Sequence, residues 1–167
     1  MLIVVTGKPG SGKTTLVETV ISRVGGEGFT TREVRERGRR VGFKIVTSWG
    51  EEMWLARVGH RSPARVGRYG VFLENVERLA EKMLKILESD ELLYLDEIGK
   101  MEMKSKSFED LVWKVLERSF PTLVTIPIVD FHPVVGEIRR RADLVIDAFE
   151  YWDRKEDATE MILRMLK

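Results

Sequence analysis

Two hydrophobic rhythms run along the chain. Short apolar runs, Leu2-Ile3-Val4-Val5, Leu92-Leu93-Tyr94-Leu95, residues 123–128 and Leu144-Val145-Ile146, read as strands buried on both faces. Between them, apolar residues recur three and four apart, as on amphipathic helices. The first such helix spans Lys13–Val24 and stops at Gly25-Gly26. A second spans 75–88, with Asn75 as its N-cap and Val76, Leu79, Ala80, Met83, Leu84 and Leu87 on one face. A capping box at Ser107-Phe108-Glu109-Asp110 opens a third, carrying Leu111, Val112, Val115 and Leu116. Residues 134–141 form a short fourth, and Asp153 caps a last helix with Ala158, Met161, Ile162 and Met165. Residues 29–34 and 41–47 alternate apolar and polar positions around Gly38, which predicts an antiparallel hairpin. Residues 53–58 suit a third strand, and 59–70 read as a loop. Buried strands alternating with helices predict an α/β architecture. Its central sheet is mostly parallel and flanked by helices, with the hairpin inserted after the first βα unit.

The 167 residues suit one domain spanning 1–167. Charged residues reach 33%, yet 28 basic and 27 acidic side chains leave only +1. That balance supplies no global field for nucleic acid, so a nucleic-acid partner is disfavoured though left open. There is no Cys, which removes disulfides and thiolate chemistry. No apolar run approaches a membrane span, and the N-terminus does not read as a signal peptide. A cytoplasmic protein is expected, with no membrane partner and a monomeric state. High charge without Cys also suits a thermophile.

Gly7-Lys8-Pro9-Gly10-Ser11-Gly12-Lys13-Thr14 is a complete Walker A (P-loop) sequence, and it sits between a buried strand and a helix. Its glycines let backbone N–H groups curl around phosphates at a helix N-terminus. Lys13 reaches the β- and γ-phosphates, and the Thr14 hydroxyl joins Mg²⁺. Leu92-Leu93-Tyr94-Leu95-Asp96-Glu97 is the matching Walker B strand, delivering two carboxylates at the sheet edge where ligands bind. Asp96 is the second residue expected to orient Mg²⁺, and Glu97 is the candidate base for an attacking water. The Asn-Lys-x-Asp element that reads guanine is absent, so base recognition should be loose.

The arginines leave choices open. Arg32, Arg35, Arg37, Arg39 and Arg40 read as a solvated edge that resists strand pairing, with a lid or partner surface as the rival. Arg61, Arg65 and Arg68 fall in the 59–70 loop, where they could face phosphate. Arg139 is the candidate for stabilising transition-state charge; its rival role is a salt bridge to Glu137 or Asp143. His60 and His132 lack ligand spacing and read as structural or surface residues. Trp113 reads as core, Trp49 and Trp54 as hairpin packing, and Met101 and Met103 as packing after Walker B.

The sequence resembles the small nucleoside-triphosphatase family that includes the human cancer-related nucleoside-triphosphatase and thermophile proteins. The segments that carry the likeness are 6–15, 28–35, 38–43, 66–71 and Leu95-Asp-Glu-Ile-Gly-Lys-Met-Glu102, with Thr125-Ile-Pro127 and Glu137-Ile-Arg139 completing it. Thr30-Thr31-Arg32 departs from the pattern, since relatives tend to carry an aromatic and an acid there. The resemblance implies a RecA-like P-loop fold and Mg²⁺-dependent hydrolysis of ATP, GTP, CTP and other nucleoside triphosphates. It extends nucleotide binding to Thr15 and carries it onto Leu92, Leu93, Tyr94, Leu95, Asp96, Glu97, Ile98 and Gly99. A small-molecule or nucleotide kinase is the alternative enzyme, against which Glu97 argues. A nucleotide-switched nucleic-acid-binding module is the alternative outside catalysis, motivated by the basic segments 32–40 and 57–68.

Overall fold

The computed structural model describes all residues, 1–167. Its strands are β1 (Leu2–Thr6), β2 (Glu27–Glu36), β3 (Arg39–Thr47), β4 (Glu52–Val58), β5 (Arg65–Val66), β6 (Tyr69–Val71), β7 (Leu93–Leu95), β8 (Thr122–Thr125) and β9 (Leu144–Asp147). Its helices are α1 (Lys13–Val24), α2 (Leu73–Lys85), α3 (Lys106–Val115), α4 (Pro133–Arg141) and α5 (Lys155–Met165). A single 3-10 turn, Glu102–Lys104, precedes α3.

All nine strands form one sheet in the order β5-β6-β4-β3-β2-β7-β8-β1-β9. The run β2-β7-β8-β1-β9 is parallel. Strands β2 to β6 add an antiparallel half. The parallel half is covered on both faces, which is why its strands are unbroken apolar runs. Alternation along β1 shows the division. Val4 packs with α2, α3 and α4, whereas Ile3 and Val5 pack with α1 and α5. The antiparallel half is covered on one face: Ile45, Leu55, Ala56 and Val71 join the core under α2. Its other face presents Arg32, Lys44 and Glu52 in ion pairs, hence the alternating sequence.

The hairpin is not a separate insertion. Glu27–Phe29 of β2 pair in parallel with Leu93–Leu95, so the same strand belongs to the core and then runs on into the hairpin. β2 and β3 therefore lie inside the sheet, and the charges on them line a solvated face and the hairpin tip rather than an edge. Within 59–70 the chain forms β5 and begins β6, anchored by the buried Tyr69 and pairing on β4.

Several helix starts shift. Phe72 rather than Asn75 is the N-cap of α2, and the Asn75 side-chain amide donates to Trp54 O at 2.8 Å instead of capping. Ser105, not Ser107, caps α3, accepting from Phe108 N at 3.2 Å. α5 starts after Arg154 with no side-chain cap, so Asp153 does not serve. Trp113 lies one residue off the buried stripe of α3 and is 38% exposed, so it is not core. Leu84 is likewise exposed on α2. Met101, Met103 and Trp49 pack against the core, while Trp54 lies beneath Lys44 and Arg57. His60 stacks on Phe72, and His132 caps α4 and meets Glu109.

Candidate active site at the ends of β1 and β7

β1 and β7 run parallel with β8 between them, so both deliver their C-terminal loops to one sheet edge. The loop after β1 turns sharply into α1. Gly10 (φ 79°) and Gly12 (φ 95°) take left-handed conformations that side chains rarely adopt. Gly12 is the N-cap of α1 and offers no side-chain acceptor, so the helix's first N–H groups stay free for an anion. Ser11 is 4% exposed, and its Oγ is buried without a hydrogen-bond partner.

Lys13, at the first position of α1, points back over the loop. Its Nζ donates to Gly7 O at 3.0 Å and meets Glu97 Oε2 at 2.8 Å. Thr14 Oγ1 donates to Asp96 Oδ2 at 2.7 Å. The structure thus gathers Lys13, Thr14, Asp96 and Glu97, which lie over 80 residues apart in sequence. Thr15, next on the helix, is exposed. Lys8 lies over the Phe149 ring. Leu92, Leu93, Tyr94, Leu95 and Ile98 are buried in the core and act as the scaffold that aims the carboxylates. The Asp96–Glu97 peptide is cis.

Asp96 is 1% exposed and takes part in no ion pair. Burial raises its pKa to about 6, against the opposing hydrogen bonds of Thr125 and Thr14, and the Glu97 charge adds to the rise. Two oxygen donors, a buried carboxylate without a counter-charge and a hydroxyl, suit a hard divalent cation that brings its own phosphate and water ligands.

Two residues absent from the sequence-based site belong to it. Thr125 Oγ1, at the end of β8, donates to Asp96 Oδ1 at 2.6 Å and holds the carboxylate from the side opposite Thr14. Glu102 is wholly buried, and burial pushes its pKa well above the ordinary carboxylate range, with the Glu97 charge pushing the same way. A Cβ on Gly99 would lie 3.0 Å from Glu102 Oε1 and 3.2 Å from Glu97 Oε1, so the two carboxyl groups flank that glycine. The Thr125-Ile-Pro127 and Glu102 matches to the family were the only sequence signals for either residue.

The arginines are held by contacts of their own. Arg139 donates from Nε to Asp130 at 3.1 Å and from its Nη2 to Pro127 O and Ile128 O. It pairs with neither Glu137, which meets Arg140 and Arg141, nor Asp143, which accepts from Leu2 N. Arg65 and Arg68 bind backbone carbonyls beside β6, four strand positions from β7, roughly 19 Å along the sheet. Arg65 and Arg68 therefore do not face the phosphate loop of their own chain.

The family model described as NTPase matches residues 2–162. The nucleoside-triphosphatase THEP1 of a Thermotoga species is 41% identical over 170 residues, covering 100% of this chain and 96% of the relative. The crystal structure of THEP1 from the hyperthermophile Aquifex aeolicus superposes with a TM-score of 0.88 at 37% identity, covering 100% of this chain and 99% of that one. The solution structure of a human cancer-related nucleoside triphosphatase gives 0.76 at 35% identity, covering 99% and 98%. With the phosphate loop and the paired carboxylates placed as described, the chain belongs to the NTPase family.

Proposed function

We propose that this nucleoside-triphosphatase hydrolyses the terminal phosphoanhydride of ATP, GTP and CTP with little choice among bases, and that it requires Mg²⁺. The observation that carries this reading is the meeting of Lys13 with Glu97 beside the Thr14–Asp96 pair. Phosphate oxygens accept from the free N–H groups at the start of α1 and draw the Lys13 ammonium. Glu97, released from Lys13, takes a proton from water as the water oxygen attacks the γ-phosphorus. The bond to the β–γ bridging oxygen breaks, leaving nucleoside diphosphate and phosphate. Thr14 and Asp96 are the residues that hold Mg²⁺, which when bound offsets the negative charge of the phosphate oxygens. The position of β8 between β1 and β7 supports the RecA-like form of the P-loop fold.

No helix is long and apolar enough to cross a membrane. The test is phosphate release from ATP, GTP and CTP without any acceptor, with Mg²⁺ or with EDTA. Rates within about ten-fold across bases are expected, since one hydrogen-bond set is worth roughly 1–2 kcal/mol. Dependence on an added acceptor would point to a kinase instead, and full activity in EDTA would remove Mg²⁺ from the mechanism.

A further inference from the structure

The chain turns from β9 to α5 through residues 148–154, directly beside the phosphate loop. Ala148 N donates to Thr6 O, and a Cβ on Gly7 would lie 3.4 Å from Asp147 Oδ1. Two large aromatic side chains of this turn, Phe149 and Trp152, are each 56% exposed. They are not stray surface residues. The ammonium of Lys8, a phosphate-loop residue, sits 4.9 Å from the Phe149 ring centre. That of Lys155 sits 4.8 Å from the Trp152 ring centre. The Lys155 Cε in turn lies 3.8 Å from where a Cβ on Gly12 would be. Between the turn and the phosphate loop lies a small cavity lined by Ser11, Gly12, Lys155 and Tyr151. Ser11, whose Oγ is buried and without a partner, lines it.

We infer that this turn seats the nucleoside of the triphosphate, with the base stacked on Phe149 and Trp152. The inference rests on the triphosphatase reading and adds where the substrate's base lies. Both rings are exposed, apolar and held beside cations that border the phosphate site, so a ligand with phosphates in the loop and a flat aromatic end meets both features. Stacking uses the π-face that every base possesses, whereas discrimination needs donors and acceptors aimed at base edges. A stacking platform therefore binds purine and pyrimidine triphosphates alike, and a stretch of chain with no guanine-reading element is what such a site requires.

The experiment measures kcat and KM for ATP, GTP and CTP, together with the inhibition constant of inorganic tripolyphosphate, which has phosphates and no base. The variants are Phe149→Ala, Trp152→Ala, their combination and Trp152→Phe. Each alanine variant should raise KM for all three nucleotides by about ten-fold, and the pair by about thirty-fold or more, the scale of one lost stacking partner. Because the rings touch no reacting atom, kcat should stay within about three-fold. Tripolyphosphate inhibition should stay within about two-fold, and Trp152→Phe should restore KM while removing the nucleotide-induced change in tryptophan fluorescence. Unchanged KM in the double variant overturns the platform, and so does a parallel weakening of tripolyphosphate, which would mean the phosphate loop itself was disturbed. Failure of the wild-type chain to release phosphate from any nucleotide sinks the triphosphatase reading instead, a result these variants do not mimic.

Discussion

Lys13 Nζ and Glu97 Oε2 lie 2.8 Å apart, so the phosphate-loop lysine and the Walker B glutamate neutralise each other across the site. Each is the other's partner until a triphosphate supplies better ones. Phosphate oxygens carry more charge than one carboxylate and arrive with backbone N–H groups already aimed at them. In the proposed reaction, ligand binding exchanges the lysine onto phosphate and leaves the glutamate oxygen facing water.

Glu97→Gln should separate binding from chemistry. The amide keeps the shape, cannot accept the proton as a base, and no longer competes for Lys13. Affinity for MgATP is expected to match or exceed that of the parent, while single-turnover hydrolysis slows at least about a hundred-fold. Titration calorimetry and rapid quench on the same preparation check it; affinity and rate falling together would make Glu97 structural.

Asp96 predicts a pH dependence of stability. Its folded pKa of about 6 lies above the ordinary 3.8, so protonation favours the folded state. Its contribution is complete below about pH 4 and is lost as pH rises through 6. Asn has no charge to bury; its oxygen accepts from one of the two threonine hydroxyls and its amide N–H donates to the other. In EDTA, Asp96→Asn should melt several degrees above the parent at pH 8, with the gap closing between pH 6 and 4, although turnover with Mg²⁺ is lost. A gap that widens on acidification would contradict the burial argument.

Glu102 is buried, and burial pushes its pKa well above the ordinary carboxylate range, so the neutral isostere glutamine is a close substitute. Glu102→Gln should melt at or above the parent at pH 8. Glu102→Ala should melt several degrees lower, through the void left beside Gly99 in a buried site. Thermal scans of both variants decide this, and equal loss in both would mean the carboxyl is ionised in the fold.

Arg139 ties the loop after β8 to α4 through Asp130 and two carbonyls. Arg139→Ala should lower the melting temperature by roughly 2–4 °C, the scale of about 1 kcal/mol in a domain of this size. The value of kcat per folded molecule should hold within about three-fold. A loss near the thousand-fold scale of arginine fingers at unchanged melting temperature would instead make Arg139 catalytic.

The local pattern determined the phosphate loop, the strand before it and the helix after it. Those depend on contiguous residues: β-branched side chains, glycines able to turn left-handed, and a lysine and threonine at fixed spacing. The parallel core and its helices were legible for the same reason, because apolar periodicity reports which faces are buried. Helix starts were read less well, since Ser105 and Ser107 offer the same hydroxyl and only packing decides which one the helix uses. The tertiary structure alone decided that β2 is both a core strand and a hairpin arm, because strand pairing partners are set across the sheet and leave no mark in the strand itself. It also decided that Thr125 braces Asp96, that Glu102 faces Glu97, and that Arg139 is fastened to its own loop. A hydroxyl, an acid or an arginine in sequence shows its chemistry but not its neighbours, and neighbours over short distances determine whether it binds, positions or merely holds the fold.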